Sequence, residues 1–277
     1  MPFSMSKTLQ MGLLFRSACC VGALVLAVTI ASADPELRDF CAQRPGLDTP
    51  ACTVDAGHLM VEVGLGDWTL DRQPDSRTDT IVAGDLLLRY GLDDTTEIQL
   101  GWTPYGHVRT RDNASGAVTN VARTGDVLLS VRKSLSGQGG KIAIQPFVTV
   151  PVGRSPVGAG DWGAGVLLPV GFDLGKGVQL SFTPEIDAAV DQDGSGRHLA
   201  YGSVAGLTEP LTKKINLTEE ISATRDNDPS GHNTTTLASL SIAYQPGKNS
   251  QFDVGTVAGL NKNSPDVEIY FGVARRF

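Results

Sequence analysis

The sequence lacks the long apolar run that a membrane-spanning helix requires. Beyond residue 33, no stretch reaches 18 consecutive apolar residues, whereas a helix that crosses a bilayer needs about 20. It also lacks a cluster of lysine and arginine. Its 23 basic residues are outnumbered by 30 acidic ones. An acidic chain of this kind is poorly suited to bind nucleic acid, so we expect no nucleic-acid partner.

Residues 1–33 have the layout of a secretory signal peptide. Lys7 and Arg16 give a basic start, residues 18–30 form a short apolar run, and Ala31-Ser32-Ala33 offers small residues for cleavage. The run is too short to cross a bilayer comfortably, which disfavours a transmembrane helix. We therefore predict an exported protein that is cleaved after Ala33.

Cysteine is scarce, at four residues in the whole chain. Cys19 and Cys20 precede most of the apolar run, which disfavours a lipid-anchored lipoprotein. Cys41 and Cys52 remain after cleavage, and in an exported protein their spacing favours a disulfide; two reduced thiols are the alternative. Residues 34–56 show no strand pattern, and we interpret them as either a periplasmic tail or a small plug inside a barrel lumen.

From residue 57 to residue 277, apolar and polar residues alternate with the two-residue period of a β-strand. The clearest example is residues 178–190, where Leu180, Phe182 and Ile186 oppose polar neighbours. In the closing strand, Ile269 and Phe271 lie on one face and Glu268 on the other. Counted in this way, the segment contains twelve strands, and we expect the last to pair with the first.

The connections between the predicted strands fall into two classes. Those after the even strands are short turns, such as 91–94 and 175–177, and those after the odd strands are generally longer, such as 71–79 and 104–123. Aromatic residues cluster at both strand ends. These features predict an all-β fold, a closed antiparallel transmembrane β-barrel of about 12 strands. A soluble β-sandwich is the alternative, but it does not explain charges opposite the apolar face.

Charged residues on the inward face are candidates to line the lumen, because charge on the lipid face is costly. They either bracket a water-filled, selective pore or pair across the lumen and fill it. The candidates are Glu62, Asp85, Arg89, Glu97, Asp126, Arg132, Lys141, Glu185 and Asp187.

Several short segments carry a resemblance to a known family. They include Arg89-Tyr90-Gly91-Leu92, Gly125-Asp126-Val127, Gln145-Pro146-Phe147, Asp253-Val254-Gly255 and the closing Arg276-Phe277. With them, residues 57–277 resemble the bacterial outer-membrane barrel "transporter" family, the family of the meta-pathway of phenol degradation. The resemblance implies a bacterial outer-membrane channel or uptake protein for small solutes, with aromatic or hydrophobic compounds implied by the family's name.

Residue patterns for chemistry are weak. A phospholipase barrel needs a serine, a base and a third group within reach of one another, but His198 and Ser203 lie five residues apart on one strand and point to opposite faces. We interpret the four histidines as solvated or rim residues. Residues 191–196 match the start of a calcium loop but lack its closing Glu, so a Gly-rich hairpin is favoured. We predict no enzyme activity, no metal and no cofactor.

The sequence therefore predicts an outer-membrane barrel through which small solutes pass. Expected partners are outer-membrane lipids, small-molecule solutes and the barrel-assembly machinery, which we expect to recognise the terminal Phe277. The alternative function is a structural or adhesive barrel with a closed lumen, whose outer loops bind a partner.

Overall fold

A computed structural model describes residues 37–277, so the predicted signal peptide and its cleavage site lie outside the described residues. The described residues are folded as β-strands, turns and irregular segments. They contain no helix that is long and apolar enough to cross a membrane.

Residues 37–277 contain sixteen strands in chain order. Their bounds are β1 (Leu59–Arg72), β2 (Ser76–Ala83), β3 (Asp85–Asp93), β4 (Thr96–Trp102), β5 (Tyr105–Asp112), β6 (Val118–Arg123), β7 (Val127–Ser134), β8 (Ala143–Val150), β9 (Gly163–Leu167), β10 (Val170–Gly175), β11 (Val178–Val190), β12 (Arg197–Pro210), β13 (Ile215–Asp226), β14 (Asn233–Gly247), β15 (Ser250–Gly259) and β16 (Val267–Arg276).

Twelve of these strands close a barrel. The antiparallel order runs β1, β3, β4, β7, β8, β9 and then β11 to β16, and β16 returns to β1. The closing register pairs Met60 with Arg276 and Leu70 with Val267. The predicted fold class, the strand number and the closure of the first strand on the last are therefore confirmed. Closure removes the open edges that hydrocarbon does not tolerate.

Some barrel strands continue past an interruption as a second strand. Pro104 separates β4 from β5 and Pro169 separates β9 from β10, in keeping with the missing N–H of proline. Gly84 separates β2 from β3 with a positive φ of 75°, a conformation that glycine adopts without steric cost.

The prediction of loops at 71–79 and 104–123 was wrong in extent. β1 runs on to Arg72 and pairs with β2, while β2 pairs with β5 and β5 with β6. These strands form an extension of the sheet at the end of the barrel opposite the start of β1 and the end of β16, which we call the outer end. Because water contacts both faces of these strands, neither face needs to be apolar. Their sequences therefore show no alternation of apolar and polar residues.

The two faces of the barrel wall differ as the alternation predicts. On β11, Leu180, Phe182 and Ile186 expose 39%, 43% and 54% of their surface, whereas the inward Thr183 exposes 3%. The polar side chains therefore lie inside and the apolar ones form an outer belt. β16 ends at Arg276, one residue before Phe277; recognition of Phe277 by assembly machinery stays a prediction.

Candidate functional site: the lumen and its plug

Residues 37–56 lie inside the barrel, and we call this segment the plug. Its Cys41 and Cys52 are joined by a disulfide, as predicted. On one side of the lumen, the backbone N–H groups of Gln43 and Arg44 donate to Glu62 of β1. Farther along, the Thr183 hydroxyl of β11 donates to Asp48 and to the carbonyl of Thr49. β1 and β11 are six strands apart in the ring of twelve, so the plug spans the lumen.

Four charged side chains on the wall form the main attachment of the plug, and we call them the anchor cluster. Arg89 lies 3.0 Å from both Glu62 and Glu97, and Arg132 lies 3.3 Å from Glu97. All four side chains are fully buried. Two positive and two negative groups balance, so no net charge is left without a partner in the low-dielectric interior.

The anchor cluster holds the disulfide loop by its backbone. Arg89 donates to the carbonyl of Cys41 at 2.8 Å and to that of Cys52 at 3.3 Å. Arg132 donates to the same Cys52 carbonyl at 3.0 Å, and the N–H of Val54 donates to Glu97 at 2.6 Å. Each guanidinium group therefore bonds both to wall carboxylates and to plug carbonyls. Arginine is better suited to this than lysine, because its planar guanidinium carries five N–H donors in a fixed geometry.

A second set of wall residues binds the middle of the plug. Glu220 on β13 accepts hydrogen bonds from the N–H groups of Leu47 and Asp48, both at 2.8 Å. Asp253 on β15 lies 2.9 Å from the Arg44 guanidinium, and Gln251 donates to the Arg44 carbonyl at 2.6 Å. Backbone donors that would otherwise be buried without partners are thereby satisfied.

Both ends of the plug, at Arg38 and at Asp55, are also bonded to the closing strand. Arg276 donates to Asp55 and to the carbonyl of Arg38, both at 2.9 Å. Burial acts to raise the pKa of Asp55, but the hydrogen bonds and charge of Arg38, with the charge of Arg276, outweigh it and lower the pKa. Asp55 is therefore charged at neutral pH and holds both arginines. In contrast, burial raises the pKa of Asp48 in the middle of the plug.

One glycine makes room for the plug backbone. A Cβ placed on Gly91 would lie 2.2 Å from the carbonyl oxygen of Asp55 and 2.6 Å from that of Val54. Ala56 forms a parallel β-bridge with Gly91, and the N–H of Gly57 donates to the carbonyl of Gly91 at 2.8 Å. Any larger residue at position 91 would push the plug away from β3.

Beside the plug lies a lumen cavity of about 400 Å³. The plug contributes Arg44 and Asp48 to its lining, and the wall contributes polar residues together with Val82 and Leu87. Among the described residues that line the cavity, Arg44 is the one cationic side chain. The acidic ones are Asp48, Glu62, Asp67, Asp85 and Glu268.

The predicted lumen residues fall into separate groups. Glu62, Arg89, Glu97 and Arg132 form the anchor cluster. Asp85 lines the cavity and accepts from Thr103 at 2.6 Å, and Glu185 and Asp187 lie on the polar face of β11. Asp126 accepts from Gly153 and Ala159 and so fixes the connection after β8. Lys141 is exposed in the turn before β8 and joins none of these groups.

Sequence reasoning did not single out several residues of the site, namely Arg44, Asp48, Asp67, Glu220, Asp253 and Glu268. Glu220, Asp253 and Glu268 lie on inward strand positions, so strict alternation would have identified them. Asp67 faces inward only because β1 has a bulge between Gly64 and Gly66, and strict alternation from Glu62 would have placed it on the outward face. Arg44 and Asp48 lie in the irregular segment, which carries no periodic signal. Of the four histidines interpreted as solvated or rim residues, His198 lies at the rim, as the second residue of β12, but its side chain is only 5% exposed.

Solved structures share this fold. An outer membrane channel from Pseudomonas putida F1 is 15% identical with a TM-score of 0.67, covering 84% of this chain and 100% of that chain. The translocator domain of the autotransporter NalP from Neisseria meningitidis is 14% identical with a TM-score of 0.50, covering 80% and 89%. The β domain of the Bordetella autotransporter BrkA is 11% identical with a TM-score of 0.51, covering 80% and 100%.

The exterior and the sequence together place the protein in a family. A closed barrel with a polar interior and an apolar belt is the architecture of bacterial outer-membrane proteins, and this chain is an outer-membrane barrel. No curated protein matches the sequence. A family model described as "Putative MetA-pathway of phenol degradation" matches residues 42–277, which include most of the plug and the whole barrel. The chain belongs to this family.

Proposed function

We propose that the protein is an outer-membrane channel for small solutes in which the plug narrows the passage. The observation that carries this proposal is the polar cavity beside the plug, because a barrel filled only for stability would pair its inward charges, as the anchor cluster does. Solute passage requires no chemical step, and we assign none to the barrel. The family description supports aromatic or other hydrophobic compounds as the solutes.

The carboxylates of the cavity give the proposed channel a charge preference. Arg89 balances the charge of Glu62, but the other four acidic side chains outnumber the one arginine among the described lining residues. The negative potential that results is focused by the low-dielectric walls. We expect the channel to prefer cations. In planar bilayers under a KCl gradient, the reversal potential should report K⁺ permeating better than Cl⁻.

A matched pair of variants tests the source of this preference. Asp67→Asn removes a charge from the cavity lining and should lower the K⁺ to Cl⁻ permeability ratio. Asp75→Asn removes the same charge from the exposed turn between β1 and β2 and should leave the ratio unchanged. Equal ratios for both variants and the original protein would contradict the assignment of the cavity as the passage.

The alternative, a structural or adhesive barrel with a closed lumen, draws support from the many bonds between plug and wall. Conductance and solute flux discriminate the two functions. Solute-loaded liposomes that contain the protein should release or take up small aromatic compounds faster than empty liposomes. Absence of both conductance and flux would exclude the channel and leave the structural barrel.

A further inference from the structure

A cluster of one histidine and three aspartates lies at the outer ends of β11 to β14. Asp191 follows β11, His198 is the second residue of β12, Asp226 ends β13, and Asp228 follows it. The side chains of His198, Asp191 and Asp228 expose only 5%, 16% and 11% of their surface. The cluster thus brings two connections together, one on each side of the β12–β13 pair.

Both ring nitrogens of His198 face carboxylate oxygens. Nδ1 lies 2.9 Å from Asp191 and 3.6 Å from Asp228, and Nε2 lies 2.7 Å from Asp226. Nε2 is buried and is not aligned for a hydrogen bond. A neutral imidazole has one N–H and one lone pair, so one nitrogen would direct its lone pair at a carboxylate. The arrangement therefore calls for a cation on the ring, either a second proton or a metal ion.

The neighbouring arginines do not supply that cation. Arg197 lies 2.9 Å from Asp161 and stacks 4.3 Å from the centre of the Trp162 ring. Arg225 donates to Asn227 at 3.2 Å and to Thr234 at 2.9 Å. Both guanidinium groups are bonded to other residues, so the three carboxylates concentrate negative charge around His198.

We propose that His198, Asp191 and Asp228 bind a divalent transition-metal ion such as Zn²⁺. One ligand atom from each of these residues lies within 4.8 Å of the other two, and small shifts would bring all three to the usual zinc distances of about 2.0–2.2 Å. Asp226, on the Nε2 side of the ring, supplies the carboxylate that commonly orients a metal-bound histidine. The nitrogen ligand favours zinc over Ca²⁺ or Mg²⁺, which prefer oxygen ligands.

The calcium-loop pattern in the same turn serves a different purpose. Asp193 accepts hydrogen bonds from the N–H and the hydroxyl of Ser195, at 2.9 and 2.8 Å, and Gly194 has a positive φ of 79°. The turn is therefore shaped as a Gly-rich hairpin, which holds Asp191 toward His198. A bound ion would join the connection after β11 to the connection after β13 at the mouth of the barrel.

The test is calorimetric titration of ZnCl₂ into the detergent-solubilised protein, purified without a polyhistidine tag. We expect one bound Zn²⁺ per chain, no detectable binding at that site for His198→Ala, and binding about 10- to 100-fold weaker for Asp226→Asn. His232→Ala, which alters an exposed histidine in the connection after β13, is the matched control and should bind as the original does. CaCl₂ should not compete.

Heat-dependent migration on a gel shows that each variant retains a folded barrel. The proposal is overturned if the original protein binds Zn²⁺ no better than His198→Ala, or if His232→Ala loses binding to the same extent. Without specific Zn²⁺ binding, a proton alone would be the cation on His198.

Discussion

Deletion of residues 38–55 should raise the single-channel conductance several-fold. These residues cross the lumen from β1 to β11 and carry both cysteines, so their removal leaves a twelve-stranded barrel with a water-filled interior. A barrel of this size lies between the eight-stranded case, which side chains fill, and the open porins. The measurement is conductance in planar bilayers, with heat-dependent migration to show that the shortened chain still folds.

The control for this deletion keeps the plug but removes its disulfide. In Cys41→Ser/Cys52→Ser, the bonds from Glu62, Glu220 and Asp253 to the plug do not involve sulfur, so conductance should stay close to that of the original protein. Unchanged conductance in the deletion would show that the plug does not limit passage.

Replacement of Arg89 by methionine should have the largest effect on stability. Arg89 bridges Glu62 and Glu97 with all three side chains fully buried, and its removal leaves buried carboxylates with too few cationic partners. Breaking a buried ion pair from one side typically costs about 3–5 kcal/mol. Unfolding of the purified barrel in detergent, followed by tryptophan fluorescence over a urea series, measures this loss.

An exposed ion pair provides the control for Arg89. Arg77 lies 2.9 Å from Asp79 in the outer extension, with 47% of its side chain exposed. Solvent screens an exposed pair, so it contributes little, and Arg77→Met should change stability little. Arg89→Lys should fall between the two, because lysine keeps the charge but cannot bond to both carboxylates and both cysteine carbonyls in one plane. Similar losses for Arg77→Met and Arg89→Met would refute the structural role of the anchor cluster.

The barrel could be predicted from the sequence because lipid imposes a simple pattern on it. Every residue of a membrane-spanning strand faces either hydrocarbon or the interior. Apolar Leu180 and Ile186 are therefore predicted to face lipid, and polar Thr183 to face the interior. The β5–β6 extension could not be predicted in the same way, since water contacts both of its faces. Arg109 and Thr110, at successive positions of β5, are therefore both polar and do not show which face is which.

The interior could be predicted only as a set of charges. Alternation placed Arg89, Glu97 and Arg132 on the inward face, but their partners depend on how four strands (β1, β3, β4 and β7) pair and on the path of the plug. The plug itself is bonded through backbone N–H groups to carboxylates far along the chain, such as Leu47 to Glu220. The burial of His198 could not be predicted for a similar reason, because the residues that bury it come from two connections brought together by strand pairing.

The position of the plug is the central claim, and a cross-link between it and β11 tests this most directly. Thr183 donates to Asp48 across the lumen, so Asp48→Cys/Thr183→Cys should form a disulfide on mild oxidation of isolated outer membranes. Mass spectrometry should find the peptide that joins positions 48 and 183. The pair Asp48→Cys/Phe182→Cys, with position 182 facing outward, should form none. Absence of the first cross-link, or equal yields for both pairs, would contradict a plug that lies inside the barrel.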